Sequence, residues 1–248
     1  MVGERVALVT GASRGLGRAI AESLAAQGFR VAINYASSHD AAQDLKAKIV
    51  ADGGVAETFC ADVTDEAGVA ELKDAISSSL GDVDVLVFNA TGPQPMLPIE
   101  DLEWSDMLDQ LRFFVKSPLL LTKAFLPGMK ARRWGRIVNI GSEVFDIGNA
   151  NFSSYVSAKG AQLGLTRSWA RELGPYGITV NLVAPGWIPV ERHGEVTDDD
   201  SAGYRRDVLL GHLGKPDDIA GAVSYLASDA GKFVTGQRLS VNGGRTFD

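Results

Sequence analysis

Seven short β-forming runs recur along the chain, and most consecutive pairs are separated by a longer stretch of helical periodicity. The runs are residues 5–10 (RVALVT), 30–34 (RVAIN), 55–60 (VAETFC), 84–89 (DVLVFN), 136–140 (RIVNI), 178–183 (ITVNLV) and 238–241 (RLSV). Most are nearly continuous in Val, Ile and Leu rather than alternating. Strands buried on both faces of a parallel sheet have that pattern. Parallel neighbours need crossover connections. The periodic stretches at 15–28, 39–51, 66–80, about 102–129, 153–173 and 217–227 supply them. The expectation is an α/β fold: a doubly wound parallel sheet of about seven strands with right-handed crossovers and helices on both faces. The length, 248 residues, suits one such unit. With no linker-like composition shift and no repeat, residues 1–248 read as a single domain. One segment, 187–211, breaks the rhythm. It is long, carries Asp198-Asp199-Asp200 and lacks a clear period, so it reads as a substrate lid.

Composition narrows the function. With 45% hydrophobic and 22% charged residues the chain has the balance of a soluble globular protein. A net charge of −7 disfavours a nucleic-acid surface. The basic cluster Lys130, Arg132, Arg133 and Arg136 reads as a solvated helix end. The single cysteine, Cys60, allows no intrachain disulfide and is expected to be a buried, inert thiol. The start of the sequence lacks a signal-peptide pattern, and no apolar run is long enough to span a bilayer. A cytoplasmic enzyme without membrane partners is expected. The three histidines, His39, His193 and His212, lack metal-ligand spacing, so no metal is expected. No serine sits in a G-x-S-x-G turn.

The first strand run leads into Thr10-Gly11-Ala12-Ser13-Arg14-Gly15-Leu16-Gly17, and a helix begins within it. Gly11 permits a tight turn, Gly15 lets backbone approach a pyrophosphate, and Gly17 lets helix and sheet pack closely. Free N–H groups and the positive dipole end at the helix start suit phosphates. Three glycines near a strand end also occur in plain structural turns. A strand before and a helix after shift the reading toward a dinucleotide. No Lys-Ser/Thr pair follows, so this is not a P-loop.

Tyr155 and Lys159 lie four apart in a helical stretch and share one face. A free tyrosine titrates near pH ~10, and an adjacent ammonium lowers that value by stabilising the tyrosinate. Ser142, at the end of the fifth strand run, places a hydroxyl where it can bond a substrate carbonyl. Alone, Y-x-x-x-K fits a solvated helix face and Ser142 a cap.

In their order and spacing over nearly the whole chain, these motifs resemble those of the short-chain dehydrogenases/reductases, with the 3-oxoacyl-acyl-carrier-protein reductase-like branch the closest. The resemblance rests on T-G-x-x-x-G-x-G, Asp62-Val63 after the third run, Asn89-Ala90-Thr91-Gly92 after the fourth, Tyr155-x-x-x-Lys159, Pro185-Gly186 after the sixth, and V-T-G-Q-x-L-x-V-N-G-G near the end. It implies a Rossmann-like fold and an NAD(P)-dependent enzyme interconverting a ketone and a secondary alcohol by hydride transfer. Ser142, Tyr155 and Lys159 would be its catalytic residues. It implies that Asp62 and Val63 hold the adenine ring, that Asn89, Ala90, Thr91, Pro185 and Gly186 flank the cofactor, and that Tyr155 and Lys159 reach the nicotinamide ribose. Val190 stands where the family often has a threonine for the nicotinamide carboxamide, so backbone near Ile188 is expected there instead. The second run ends Asn34-Tyr35-Ala36-Ser37-Ser38, with Tyr35 where an NAD-preferring enzyme carries an acid. With Asn34, Tyr35, Ser37 and Arg14 around the adenosine ribose, NADP(H) is favoured over NAD(H).

The implied substrate is a small-molecule ketone or alcohol, with a 3-oxoacyl thioester of a carrier protein or CoA among the candidates. Arg132 and Arg133 match a carrier-protein contact region, and Tyr176 stands where a second basic contact is expected. The alternatives are a sugar or other small-alcohol dehydrogenase of the same family, or a cofactor-sensing regulator without turnover. A homotetramer is implied through residues around 241–244. Finally, the family often carries an Asn in the helix after the fourth strand that holds a water beside the lysine. Residues 104–124 contain none, and Leu111 or Phe114 falls at its place. With Pro118 close behind, a distorted helix is expected. The proton relay would then run through an exposed backbone carbonyl or direct solvent access to Lys159.

Overall fold

The computed structural model describes residues 5–247. Its centre is one seven-stranded parallel sheet: β1 (Val6–Val9), β2 (Arg30–Tyr35), β3 (Val55–Cys60), β4 (Val83–Phe88), β5 (Gly135–Ile140), β6 (Ile178–Pro185) and β7 (Arg238–Val241), in the order β3-β2-β1-β4-β5-β6-β7. The helices are α1 (Gly15–Ala26), α2 (His39–Ala51), α3 (Glu66–Ser79), α4 (Trp104–Leu111), α5 (Ser117–Arg132), α6 (Val144–Ile147), α7 (Ser153–Leu173), α8 (Asp198–Asp207) and α9 (Pro216–Ala227). The doubly wound fold expected from the sequence is the one found.

Strand side chains alternate between two apolar layers. Ala7 and Val9 face Ile20 and Leu24 of α1 and Val223 of α9. Val6 and Leu8 face Ile76 of α3 and Leu121 and Met129 of α5. All four β1 side chains are buried, and full burial of an aliphatic side chain stabilises by roughly 1.5–3 kcal/mol. Only apolar residues on both faces satisfy this geometry, so β1 reads as a continuous run.

After β1 the chain winds outward through β2 and β3, then returns to β4 on the other side of β1 and winds outward again through β7. The winding reverses between β1 and β4. At such a switch point the crossovers diverge and leave a crevice beyond the strand C-termini. The glycine turn and Asn89 both lie there.

The structure corrects several local expectations. The stretch read as one helix over 102–129 is two helices joined by a π-helical segment, Arg112–Lys116. Ser117 N–H donates to Arg112 O, five residues back, and Pro118 has no N–H to offer. The distortion expected there is present. Segment 187–211 contains α8, capped by Thr197, whose side chain accepts from Asp200 N–H. Cys60 is exposed, its thiol donating to Ala36 O at 3.4 Å, because it ends edge strand β3. Arg136 is buried, stacked 4.1 Å from the Trp134 ring and donating to Gly135 O. Arg132 is held by Asp82 and Asp84. The basic cluster is thus partly structural rather than a solvated helix end. Among the described residues no helix is long and apolar enough to cross a membrane.

Candidate active site

A cleft of about 990 Å³ opens over the switch point, at the upper end of the volumes that hold small-molecule ligands. Every residue expected at the cofactor or the substrate lines it except Gly17, which lies behind the turn.

Gly11 and Gly15 have φ of +60° and +57°, the left-handed region that favours glycine. A Cβ on Gly17 would lie 2.4 Å from Gly11 O and 2.5 Å from Asn89 Nδ2. Thr10 and Asn89 lock the ends of β1 and β4 together. Asn89 Nδ2 donates to Thr10 O and Gly11 O, while the Thr10 hydroxyl accepts from Asn89 N and Ala90 N. No side chain caps the start of α1 and no acid lies in its first turn. Its free N–H groups and the bare glycine backbone fit a pyrophosphate.

At the end of the cleft beyond β2, Asn34 is a brace. Its Oδ1 accepts from Gly11 N, and its Nδ2 donates to Phe59 O and Ala61 O. The Tyr35 hydroxyl is 2.7 Å from His39 Nδ1. Arg14 is exposed and makes no ion pair among the described residues. Asp62 Oδ1 accepts from Thr64 N and its hydroxyl, shaping the turn that brings Val63 to the cleft.

At the other end β5 delivers Ser142 and α7 delivers Tyr155 and Lys159. Val144 N donates to Ser142 Oγ at 3.3 Å, which orients the hydroxyl, and Ser142 and Tyr155 line the same end of the cleft. Tyr155 stacks on Phe152 at 4.7 Å and meets Phe114 edge-on at 5.4 Å. Burial pushes the Tyr155 phenol up to about 12, with Arg192 and the Ser142 hydrogen bond pulling the other way. That is opposite to the shift expected from a neighbouring ammonium. The reason is geometric: Lys159 Nζ lies 5.4 Å from the Tyr155 ring centroid but 3.6 Å from the Phe114 ring, and donates to Ile140 O at 2.7 Å. Burial, and secondarily Arg192, push the Lys159 ammonium well below the usual lysine value.

Phe114, on the π segment, thus occupies the place beside the lysine, as one of the two sequence countings expects. Lys159 is 5% exposed, which leaves it little direct contact with solvent. A buried polar chain runs inward instead: Lys159 Nζ to Gln162 Oε1, Gln162 Nε2 to Asn139 Oδ1, and Asn139 Nδ2 to Thr166 Oγ1. Asn89 takes no part in it, being spent on the glycine turn.

Sequence reasoning passed over a second buried group. Glu143, directly after Ser142, is 3% exposed. Its Oε1 accepts from Tyr204 Oη at 2.7 Å and from Arg245 at 2.8 Å. Tyr204, from α8, also accepts from Trp187 N, and its phenol is pushed up by burial. Gly186 makes room for that hydroxyl. An acid beside a candidate catalytic serine was the available signal; Tyr204 and Arg245 had none.

Comparison with known proteins agrees with this geometry. A family model described as enoyl-(acyl carrier protein) reductase matches residues 11–246. The chain is 41% identical over 242 residues to the 3-oxoacyl-acyl-carrier-protein reductase FabG of Escherichia coli (strain K12), covering 97% of this chain and 96% of the relative. Among solved structures, a 7α-hydroxysteroid dehydrogenase complexed with NADH and 7-oxo glycochenodeoxycholic acid superposes with a TM-score of 0.93 at 34% identity, covering 98% of this chain and 94% of that one. A blue fluorescent protein from a metagenomic library, in complex with NADPH, superposes with a TM-score of 0.90 at 35% identity, covering 99% of each chain. A family match over nearly the full length, on a doubly wound fold with a glycine turn facing a Ser-Tyr-Lys group, makes this chain an NAD(P)-dependent oxidoreductase belonging to the short-chain dehydrogenase/reductase family, in its 3-oxoacyl-acyl-carrier-protein reductase-like branch.

Proposed function

We propose that the protein reduces a ketone to a secondary alcohol with NADPH. The observation that carries this is the convergence of Ser142, Tyr155 and Lys159 at one end of a cleft whose other end is the bare glycine turn. The cofactor would lie with its pyrophosphate on the start of α1, its adenine beside Asp62 and Val63, and its nicotinamide near Pro185, Gly186 and Ile188. When bound, it supplies the hydride. Ser142 donates a hydrogen bond to the substrate carbonyl oxygen and holds it against the Tyr155 hydroxyl. Tyr155 gives that oxygen its proton. Lys159, held by Ile140 O and Gln162, would bind the nicotinamide ribose. The names of the curated relatives support a 3-oxoacyl thioester as one candidate substrate. Arg132, spent on Asp82 and Asp84, offers little free charge to a carrier protein.

For the cofactor, Tyr35 carries no charge to repel a 2′-phosphate, and Arg14 is free to pair with one. NADPH is expected to bind more tightly than NADH, and Tyr35→Asp to swing the preference toward NADH. The swing should be on the order of tenfold or more, as for one charge contact worth about 1.4 kcal/mol or more. Fluorescence titration with both cofactors checks this. Equal or tighter NADH binding by the unaltered protein rejects it.

We also propose that segment 187–211 is a lid. The Trp187 ring lies edge-on to Tyr204 at 5.5 Å, so movement of α8 changes the indole's surroundings. Cofactor plus substrate is expected to shift Trp187 fluorescence, and an unchanged spectrum at saturation argues against closure. Ketone reduction itself is tested by steady-state turnover of a ketone panel, including a 3-oxoacyl thioester, with each cofactor.

A further inference from the structure

Among the described residues, Lys159 Nζ donates to one main-chain oxygen, Ile140 O at 2.7 Å, and to one side-chain oxygen, Gln162 Oε1 at 3.4 Å. The Phe114 ring, 3.6 Å away, offers it a π face and no lone pair. Gln162 stands three residues after Lys159 on the same face of α7. It is 0% exposed, so both halves of its amide need partners inside the protein. The direction of that amide is fixed from the far end of the polar chain. The Thr166 hydroxyl donates to Gln162 O, one turn back, at 2.9 Å. Its single hydrogen is thereby spent, and toward Asn139 it can only accept. Asn139 therefore turns Nδ2 to Thr166, at 3.0 Å, and Oδ1 to Gln162. Gln162 in turn gives Nε2 to Asn139, at 3.3 Å, which leaves Oε1 for Lys159. Asn139 and Thr166 are as fully buried as Gln162, so water does not compete for these bonds. Asn139 and Ile140 are neighbours in β5, and one strand end thus holds both Gln162 and Lys159.

We propose that Gln162 is a positioning residue for the reaction, setting Lys159 Nζ for the cofactor through an amide whose direction Thr166 and Asn139 fix. The proposal rests on the reading above in which Lys159 binds the nicotinamide ribose. A protonated lysine has three N–H donors. Ile140 O and Gln162 Oε1 take two of them, and their places in β5 and α7 determine where the third points. A single anchor at Ile140 O would leave the end of the side chain free to rotate about that contact; a second anchor removes the freedom. Gln162 is the anchor that a substitution can remove, since the other is main chain.

The test is Gln162→Met, which keeps the length of the side chain and removes its acceptor, read beside Lys159→Ala. NADPH Kd, kcat, ketone KM and Tm are measured for each. In Gln162→Met the NADPH Kd is expected to rise by about fivefold or more, within the range of one hydrogen bond. Turnover is expected to fall by about tenfold or more through misplacement of Nζ. Ketone KM should stay within about threefold, because the change is not in substrate binding. Gln162→Glu is expected to restore Kd and kcat to within about threefold of the unaltered enzyme. Its side chain still accepts from Lys159, while the Asn139 amide and the Thr166 hydroxyl turn round to suit it. Unchanged Kd and kcat in Gln162→Met, whatever its Tm, overturn the proposal. Equal impairment in Gln162→Met and a folded Gln162→Glu also overturns it, as the sign of a purely structural role. If either variant fails to fold, Thr166→Val decides, since it removes the hydroxyl that directs Asn139 and leaves Gln162 in place. A Kd raised by about twofold or more at near-native Tm supports the proposal, and an unchanged Kd overturns it. Lys159→Ala with unchanged Kd and kcat overturns the reading of Lys159 itself, and the proposal with it. The Kd arm needs no substrate, so it decides even where no ketone is turned over.

Discussion

Tyr155→Phe is expected to lower turnover by about a hundred- to ten-thousand-fold, the usual contribution of a general acid–base group, while leaving the fold and cofactor affinity nearly unchanged. The packing explains why the two effects separate. The Tyr155 ring is held between the stacked Phe152 and the edge-on Phe114, and phenylalanine fills that slot with the same ring. Ser142, which lines the same end of the cleft, keeps its bond from Val144 N. Little stability therefore rests on the lost oxygen. The measurement is kcat on any accepted ketone alongside Tm and NADPH titration for both proteins. Activity within a few-fold of the unaltered enzyme would remove Tyr155 from the chemistry. A large fall in Tm would mean that lost activity reports lost structure.

The second large effect is expected at Gly17. An added Cβ would meet Gly11 O at 2.4 Å, Asn89 Nδ2 at 2.5 Å and Ala12 Cα at 2.9 Å. Two of these are backbone atoms of the glycine turn itself. The third belongs to the amide that ties β4 to that turn. None can yield without moving the others. Gly17→Ala should cost on the order of 1–3 kcal/mol through overpacking, roughly 2–4 °C of Tm per kcal/mol in a chain of this size. It should also displace the free N–H groups of α1, weakening cofactor binding by at least about tenfold. Gly164, inside α7, is the control, since nothing lies within 4 Å of its added Cβ. Alanine there should be neutral or stabilising by up to about 1 kcal/mol. Equal Tm values for the two variants would show that the contact at Gly17 is not the constraint described.

The two variants sample different layers of information. Gly17 is legible in the sequence because its requirement is local, a strand, a tight turn and a helix within a dozen residues. The same holds for α2, β3, α7 and β7, whose limits match the periodicity residue for residue. Continuous aliphatic runs imply burial on both faces, and burial on both faces implies a parallel sheet. Ser142, Tyr155 and Lys159 were legible as a group only through the resemblance, because a serine at a strand end and a Tyr-Lys pair on one helix face each fit a purely structural role when taken alone.

What the sequence could not decide depends on contacts between distant segments. Glu143, Tyr204 and Arg245 come from three parts of the chain and become one cluster only when α8 and the C-terminal segment fold over β5. Cys60 reads as core, yet β3 forms the sheet's edge and its last residue is exposed. Arg136 reads as solvated, but the Trp134 ring and nearby carbonyls take its guanidinium inside. The pKa of Tyr155 follows the same logic. Sequence places a lysine one turn away, but only packing directs that ammonium toward Phe114 and Ile140 O and leaves burial to govern the phenol. Periodicity and turn chemistry act within a few residues and settle the scaffold. Desolvation and pairing act through space and settle how each polar group in the site behaves.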